Sequence, residues 1–401
     1  MHGLAKQIKA SFKYCEAMPT LDIAMPIALF LVLIGTLFLN KRIKGKLEST
    51  LGDKKFETRD VIFLVVFMVA AVSSLAYVSM INSGAFFQYA ILIFFLFSYT
   101  SLLFTVSYVF SNLRRTRAQI LSVGFGIAGV VTAIVFLLSP FRDSLTVLRV
   151  AAFFGFAVFC FGAAVYEIKK KPLKERWYLA VQPPAIFALL FIFLSILGNS
   201  ATVAIWQPYV SDVFGLTFAV LIILYLSPLF NWKTVGLFAV LLTSWDIFSV
   251  IITPIMITAA HAFTGLTLPV FVYLPNIPIQ IGHLANTGAS YIVFRGLGLG
   301  DFFFAGILTI QTFKKYGQKL AIITAVAIAI SFGIWDAFLY DIINGFIPIV
   351  GRNIGGLPAT MFMVTGWGPV IAVKLWFDRR KHVNVQPSAT EPAKDTPQAS
   401  I

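Results

Sequence analysis

The stretch Arg295-Gly296-Leu297-Gly298-Leu299-Gly300-Asp301-Phe302 opens an apolar run that continues to Phe313 and meets no further charge until Lys314. It places a carboxylate at the head of a hydrophobic segment. An ionisable group inside a membrane span costs roughly 3 kcal/mol on insertion scales, so such a residue is read first as functional. A second carboxylate, Asp246, lies inside an earlier apolar segment, Val235 to Ile257. The two acids are far apart in sequence (301 − 246 = 55 positions). The working expectation is that they meet and act as a pair.

Working outward, composition sets the class. The 401 residues are 59% hydrophobic and only 12% charged, with a mean hydropathy of +0.87. Apolar runs of about 20 residues, the length that crosses a ~30 Å hydrocarbon core, recur from Leu21 to Phe377. The fold class expected is all-α, a polytopic helical membrane protein with about 11 transmembrane helices. Lys and Arg exceed Asp and Glu by 31 to 17, but the cations fall in short loops, where they set orientation, and not on a soluble basic face. No nucleic-acid partner is expected. Cys15 and Cys160 form no disulfide framework or metal cluster. Lys6, Lys9 and Lys13 precede an apolar run without a small-residue cleavage site, which reads as an uncleaved first span.

Eleven spans are read in order. The first is near Leu21 to Leu39, and seven Lys/Arg follow it in Asn40 to Arg59. The sixth, Tyr178 to Leu197, is expected to bend or break at Pro183-Pro184. The eighth carries Asp246. An apolar segment broken by Pro269, Pro275 and Pro278 follows, Thr258 to Phe294, expected to form a partial helix and a strand at Ala289 to Phe294. The ninth span carries Asp301, the tenth runs from Leu320 to Phe346, and the last from Pro358 to Phe377. Residues 1–233 are read as an N-terminal bundle, 234–381 as the catalytic region, and 382–401 as a disordered cytosolic tail.

Cations cluster in alternate gaps: seven after the first span, Arg114, Arg115 and Arg117 after the third, five in Glu167 to Arg176, then Lys233, then Lys314, Lys315 and Lys319. That alternation places the N-terminus outside and the C-terminus in the cytosol. Helix rise then puts Asp246 about 12 Å below the outer edge and Asp301 about 10 Å below it. Independent counts give similar depths. Two adjacent carboxylates in a low-dielectric site do not both ionise, so one acts as acid and the other as base on a water. That is aspartyl-protease chemistry, for which no metal or cofactor is expected. A metalloprotease helix of the form HExxH and a GxSxG elbow are both missing, and the four histidines are scattered.

The same residues carry a family resemblance. Gly298-Leu299-Gly300-Asp301 resembles the GxGD motif of presenilins and signal peptide peptidases. Trp245-Asp246-Ile247-Phe248-Ser249-Val250 is similar to the family's other aspartate motif, and Leu357-Pro358-Ala359-Thr360 to its Pro-Ala-Leu element. Trp245 stands where the family has tyrosine, and Thr360 where it has leucine. The likeness covers roughly Thr234 to Phe377. It implies catalytic Asp246 and Asp301, and a substrate strand bound along Gly298, Leu299 and Gly300 and against Leu357, Pro358 and Ala359. It also implies transmembrane peptides or proteins of signal-anchor type as substrates, with the lipid bilayer as surroundings. The family has nine spans with its acids on the sixth and seventh, so an N-terminal extension of two spans is expected here. The competing class is a proton-coupled transporter, which also buries acids beside broken helices. Asp212 and Asp341 read as interfacial acids, Asp336 as a partner of the pair or the lining of a wet cavity, and His261 and His283 as loop residues.

Overall fold

A computed structural model describes residues 22–383 apart from 52–54, 81–84, 112–113, 139–142, 170–175, 254, 266, 280, 284–289 and 351–355. The expected tail at 382–401 lies almost wholly outside the described residues, as do the lysines before the first span. The chain is helical: α1 (Ala24–Leu51), α2 (Thr58–Met80), α3 (Ala85–Val109), α4 (Arg115–Leu138) and α5 (Thr146–Lys169) come first. A short α6 (Trp177–Ala180), α7 (Gln182–Phe191), α8 (Ser200–Ile205) and α9 (Ser211–Leu226) lead to α10 (Trp232–Ile247) and α11 (Ile255–Gly265). Strands β1 (Phe271–Pro275), β2 (Ile281–His283), β3 (Ser290–Ile292) and β4 (Phe294–Gly298) precede α12 (Leu299–Tyr316), α13 (Gln318–Ala337), α14 (Leu339–Val350) and α15 (Ala359–Val383).

Among the described residues, ten helical stretches are long and apolar enough to cross a membrane, as a multi-pass membrane protein requires. The Asp301 helix α12, expected as the ninth of eleven spans, is not one of them. Its 18 residues include Asp301, Lys314 and Lys315. Phe302 to Thr312 are all buried, against α1, α9, α10, α13 and α15. Gly306 permits the closest approach: a Cβ there would lie 2.5 Å from Ile223 Cδ1 on α9.

Local chemistry accounts for the breaks. The chain turns after Ala180 and restarts as α7 with prolines in its first turn, where a missing N–H costs nothing. Asn231 and Thr234 form a reciprocal capping box that starts α10. The tenth apolar run is two helices, α13 and α14, parted at Phe338. The first helix continues past Asn40 as far as Leu51, so the basic stretch expected as a loop begins as helix.

The chain is mostly helical, as an all-α protein should be, with one small β element. The segment before Asp301 contains antiparallel β1–β4 and β2–β3 pairs, joined by Asn276 N–H donating to Val293 O at 3.1 Å. β4 pairs residue for residue with β1, from Phe271 opposite Gly298 to Pro275 opposite Phe294. Extended backbone follows from the glycine content of β4, which disfavours helix. The expected partial helix is α11, and the expected strand falls on β3 and the start of β4.

Candidate active site

Asp246 sits near the end of α10 and is 7% exposed. The helix does not continue normally beyond it. Phe248–Ile252 form a wide π-type turn, a distortion that recurs at functional sites, and Thr253 is fully extended (φ −123°, ψ 156°). Ser249 Oγ donates back to Asp246 O at 3.3 Å, inside this turn. Trp245 packs its ring on Phe248 at 5.6 Å. It contributes area at that position, and no phenolic hydroxyl.

Asp301 occupies the third position of α12. Gly298 is the residue that caps the helix, and its backbone N–H faces the Asp301 carboxylate, the return half of a capping box. The N-terminal end of the helix dipole favours a negative charge there. Asp301 is partly buried.

The helices that carry Asp246 and Asp301 pack on each other, and the two acids lie within electrostatic reach. Helices α10, α12 and α15 pack on one another around them. A further side chain arrives from α15. Thr360 Oγ1 donates to Asp246 Oδ2 at 2.7 Å, and Thr360 is 2% exposed. No local signal in the sequence pairs Thr360 with Asp246, 114 positions away.

The other expected site residues divide. Gly298 lies against the acid, for a Cβ there would be 3.2 Å from Asp301 Oδ2. Gly300 is exposed and faces open space, with no atom within 4 Å of where a Cβ would stand. Leu299 turns its side chain inward, 5% exposed and directed towards Gly215 on α9, so only its backbone is left for a ligand. Pro358 is buried, Leu357 and Ala359 partly so, and Pro358 O accepts the Met361 N–H at 3.1 Å as α15 begins.

Of the rival acids, Asp212 departs from expectation and Asp341 does not. Asp341 is exposed, as an interfacial acid should be. Asp212 is buried, and its Oδ1 accepts the Tyr273 backbone N–H of β1 at 2.8 Å, so solvation at the mouth of its span does not explain it. Asp336 makes an ion pair with Arg295 of β4. His283 is in β2 and His261 in α11, so neither is a loop residue. Among the described residues no group of His, Cys, Asp or Glu is arranged to hold a metal ion.

The Tyr273 bond also defines the edge of the ribbon. Opposite residues in an antiparallel pair either both bond across the pair or both point away. Tyr273 directs its N–H to Asp212, so its partner Gly296 directs its own N–H and C=O away from β1. Gly296 is exposed, and the Tyr273 ring covers the place of its missing side chain at 2.7 Å. Comparison of the chain with family models, with curated proteins and with solved structures gave no match in any of the three.

Proposed function

We propose that this chain is an intramembrane aspartyl endopeptidase of the presenilin and signal peptide peptidase type, hydrolysing peptide bonds within transmembrane segments. One observation carries the reading. Two acids 55 positions apart (301 − 246) lie within electrostatic reach in the bundle, and the third motif bonds to one of them through Thr360. The outward-directed backbone of Gly296 and the open space at Gly300 support an extended substrate strand bound by main-chain hydrogen bonds beside Asp301.

In this mechanism the ionised carboxylate takes a proton from a water molecule, whose oxygen attacks the scissile carbonyl carbon. The protonated carboxyl gives its proton to the carbonyl oxygen, forming the tetrahedral diol. The acid that took the water proton then passes it to the nitrogen as the C–N bond breaks, while the other carboxylate takes back a proton from a diol hydroxyl. Carboxyl and amine products leave, and the pair returns to one proton shared between two acids. Thr360 holds the Asp246 carboxylate in place throughout.

Two further assignments belong to this reading. The spans beyond the family's nine are α4 and α5, which pair with each other and reach the bundle through α7. The expected N-terminal extension fits less well, because α1 is central, packed on α9, α12 and α13. The orientation has the N-terminus outside and the C-terminus in the cytosol, from the distribution of loop cations.

The test is purified full-length protein with a signal-anchor peptide in detergent or bilayer. Wild type releases fragments, while Asp246→Asn and Asp301→Asn each abolish release and keep the wild-type melting temperature. Release that persists in both variants overturns the assignment. Proton-driven flux with no cut peptide would instead favour the transporter.

A further inference from the structure

Five buried acids are found among the described residues: Asp22, Glu167, Asp212, Asp246 and Asp336. Glu167 pairs with Arg176 and Tyr178, and Asp246 belongs to the site. The remaining three all hold the β-ribbon. Asp212 takes the Tyr273 N–H of β1 at 2.8 Å, and Asp22 Oδ1 takes the Ile277 N–H just beyond β1 at 2.9 Å. Asp336, on α13, pairs with Arg295 on β4, and Arg295 Nη1 also reaches Asp336 O at 3.4 Å.

Each buried carboxylate is costly in such an environment, so three directed at one small element need a reason. A two-stranded ribbon is marginal without outside support. β1 has that support from two acids and from packing on α9, where Val272 Cγ2 would meet a Cβ at Gly215 at 3.0 Å. β4 is different. Its outer edge at Gly296 faces away from β1, and it runs into α12 with no linker, so any slide or twist of β4 moves Asp301. Its lower end is closed by Leu299 N–H bonding to Val270 O at 2.9 Å. Its upper end has the Arg295–Asp336 pair. Asp336 is itself fixed by packing of α13 on α1, where Pro26 lies 3.2 Å from the place of a Cβ on Gly333.

We propose that Arg295 and Asp336 are positioning residues: their ion pair locks β4 to α13 and so sets Asp301 against Asp246. They touch neither substrate nor reacting atoms. The inference rests on the protease reading for its consequence in catalysis, but the lock itself is a property of the ribbon.

The experiment has an arm for each. In full-length protein, Arg295→Gln, Asp336→Asn and the double variant are examined by amide hydrogen exchange, which needs no substrate. Exchange at Leu297 to Leu299 is expected to rise at least tenfold in either single variant, with the double variant no worse and the remaining helices unchanged. Peptide cleavage is expected to lose at least tenfold in kcat with KM within about twofold, and the charge-swapped pair Arg295→Asp with Asp336→Arg to recover part of it. Unchanged exchange at β4, or effects that simply add in the double variant, overturns the lock whether or not the protein is a protease. An exchange response in the variants, with a wild type that cleaves nothing, leaves the lock standing and removes the protease reading. General loss of protection across all helices marks a merely structural role and also overturns it.

Discussion

Substituting Gly298 by alanine should separate catalysis from stability. Gly298 has φ −69° and ψ 147°, a conformation open to any residue, so alanine brings no backbone strain. Its Cβ would stand 3.2 Å from Asp301 Oδ2 and 3.6 Å from Phe271 Cε1. The first contact is short of ordinary van der Waals separation by a few tenths of an ångström. Phe271 blocks one escape, so the carboxylate is the group that yields. A misplacement of about 1 Å costs on the order of 100-fold in rate, so a shift of ~0.3–0.5 Å should cost roughly tenfold, about 1.4 kcal/mol of barrier. Replacing glycine at a compatible conformation stabilises by ~0.4–1 kcal/mol through the unfolded chain, which roughly offsets alanine's poorer capping. The expected result is kcat reduced about tenfold, with a melting temperature within about 2 °C of wild type. Gly300→Ala is the control, since its Cβ meets nothing and alanine favours the first helical turn. It should fold at least as well and raise KM, with kcat kept, because only the substrate strand contends for that space. Wild-type kcat in Gly298→Ala, or lost stability in Gly300→Ala, would refute the reasoning.

Thr360→Val removes the hydroxyl that donates at 2.7 Å to buried Asp246 and keeps the volume. Hydrogen bonds to charged groups are worth ~1.5–3 kcal/mol, so peptide cleavage should fall roughly 10- to 150-fold, with Thr360→Ser within about threefold of wild type. Equal losses in both would show that packing, and not the hydroxyl, matters. Gly306→Ala drives a Cβ to 2.5–2.7 Å from three side-chain carbons of Ile223 and should destabilise by ~1–3 kcal/mol in detergent melts. An added Ile223→Ala should restore much of that loss, and no recovery would mean the α9–α12 contact is misassigned.

How far the sequence could be read depends on the range of the interaction. Spans are a matter of length and apolarity, both local, so most were legible to within a few residues. Asp246 and Asp301 stood out because a charge in an apolar run is conspicuous by itself. Pro183 and Pro184 announced the break before α7 in the same local way. What escaped was pairing across the fold. Asp212 bonds to a backbone N–H, and any residue other than proline could have supplied it. Arg295 and Asp336 are adjacent only because β4 passes α13. Thr360 looked like an imperfect leucine until its neighbour across the helix interface was known. The strands were half visible, since glycine and proline signal extended chain without saying which segment pairs with which.

Enclosure of α12 by five helices bears on how the chain enters a bilayer. With an aspartate at one end and two lysines at the other, this segment gains too little from hydrocarbon to settle there unaided. Of the helices around it, α1, α9 and α10 are synthesised earlier, but α13 and α15 emerge later. Asp301 therefore reaches its final depth only after the ribosome has delivered the C-terminal helices, and a nascent chain released short of them carries both acids without an assembled site.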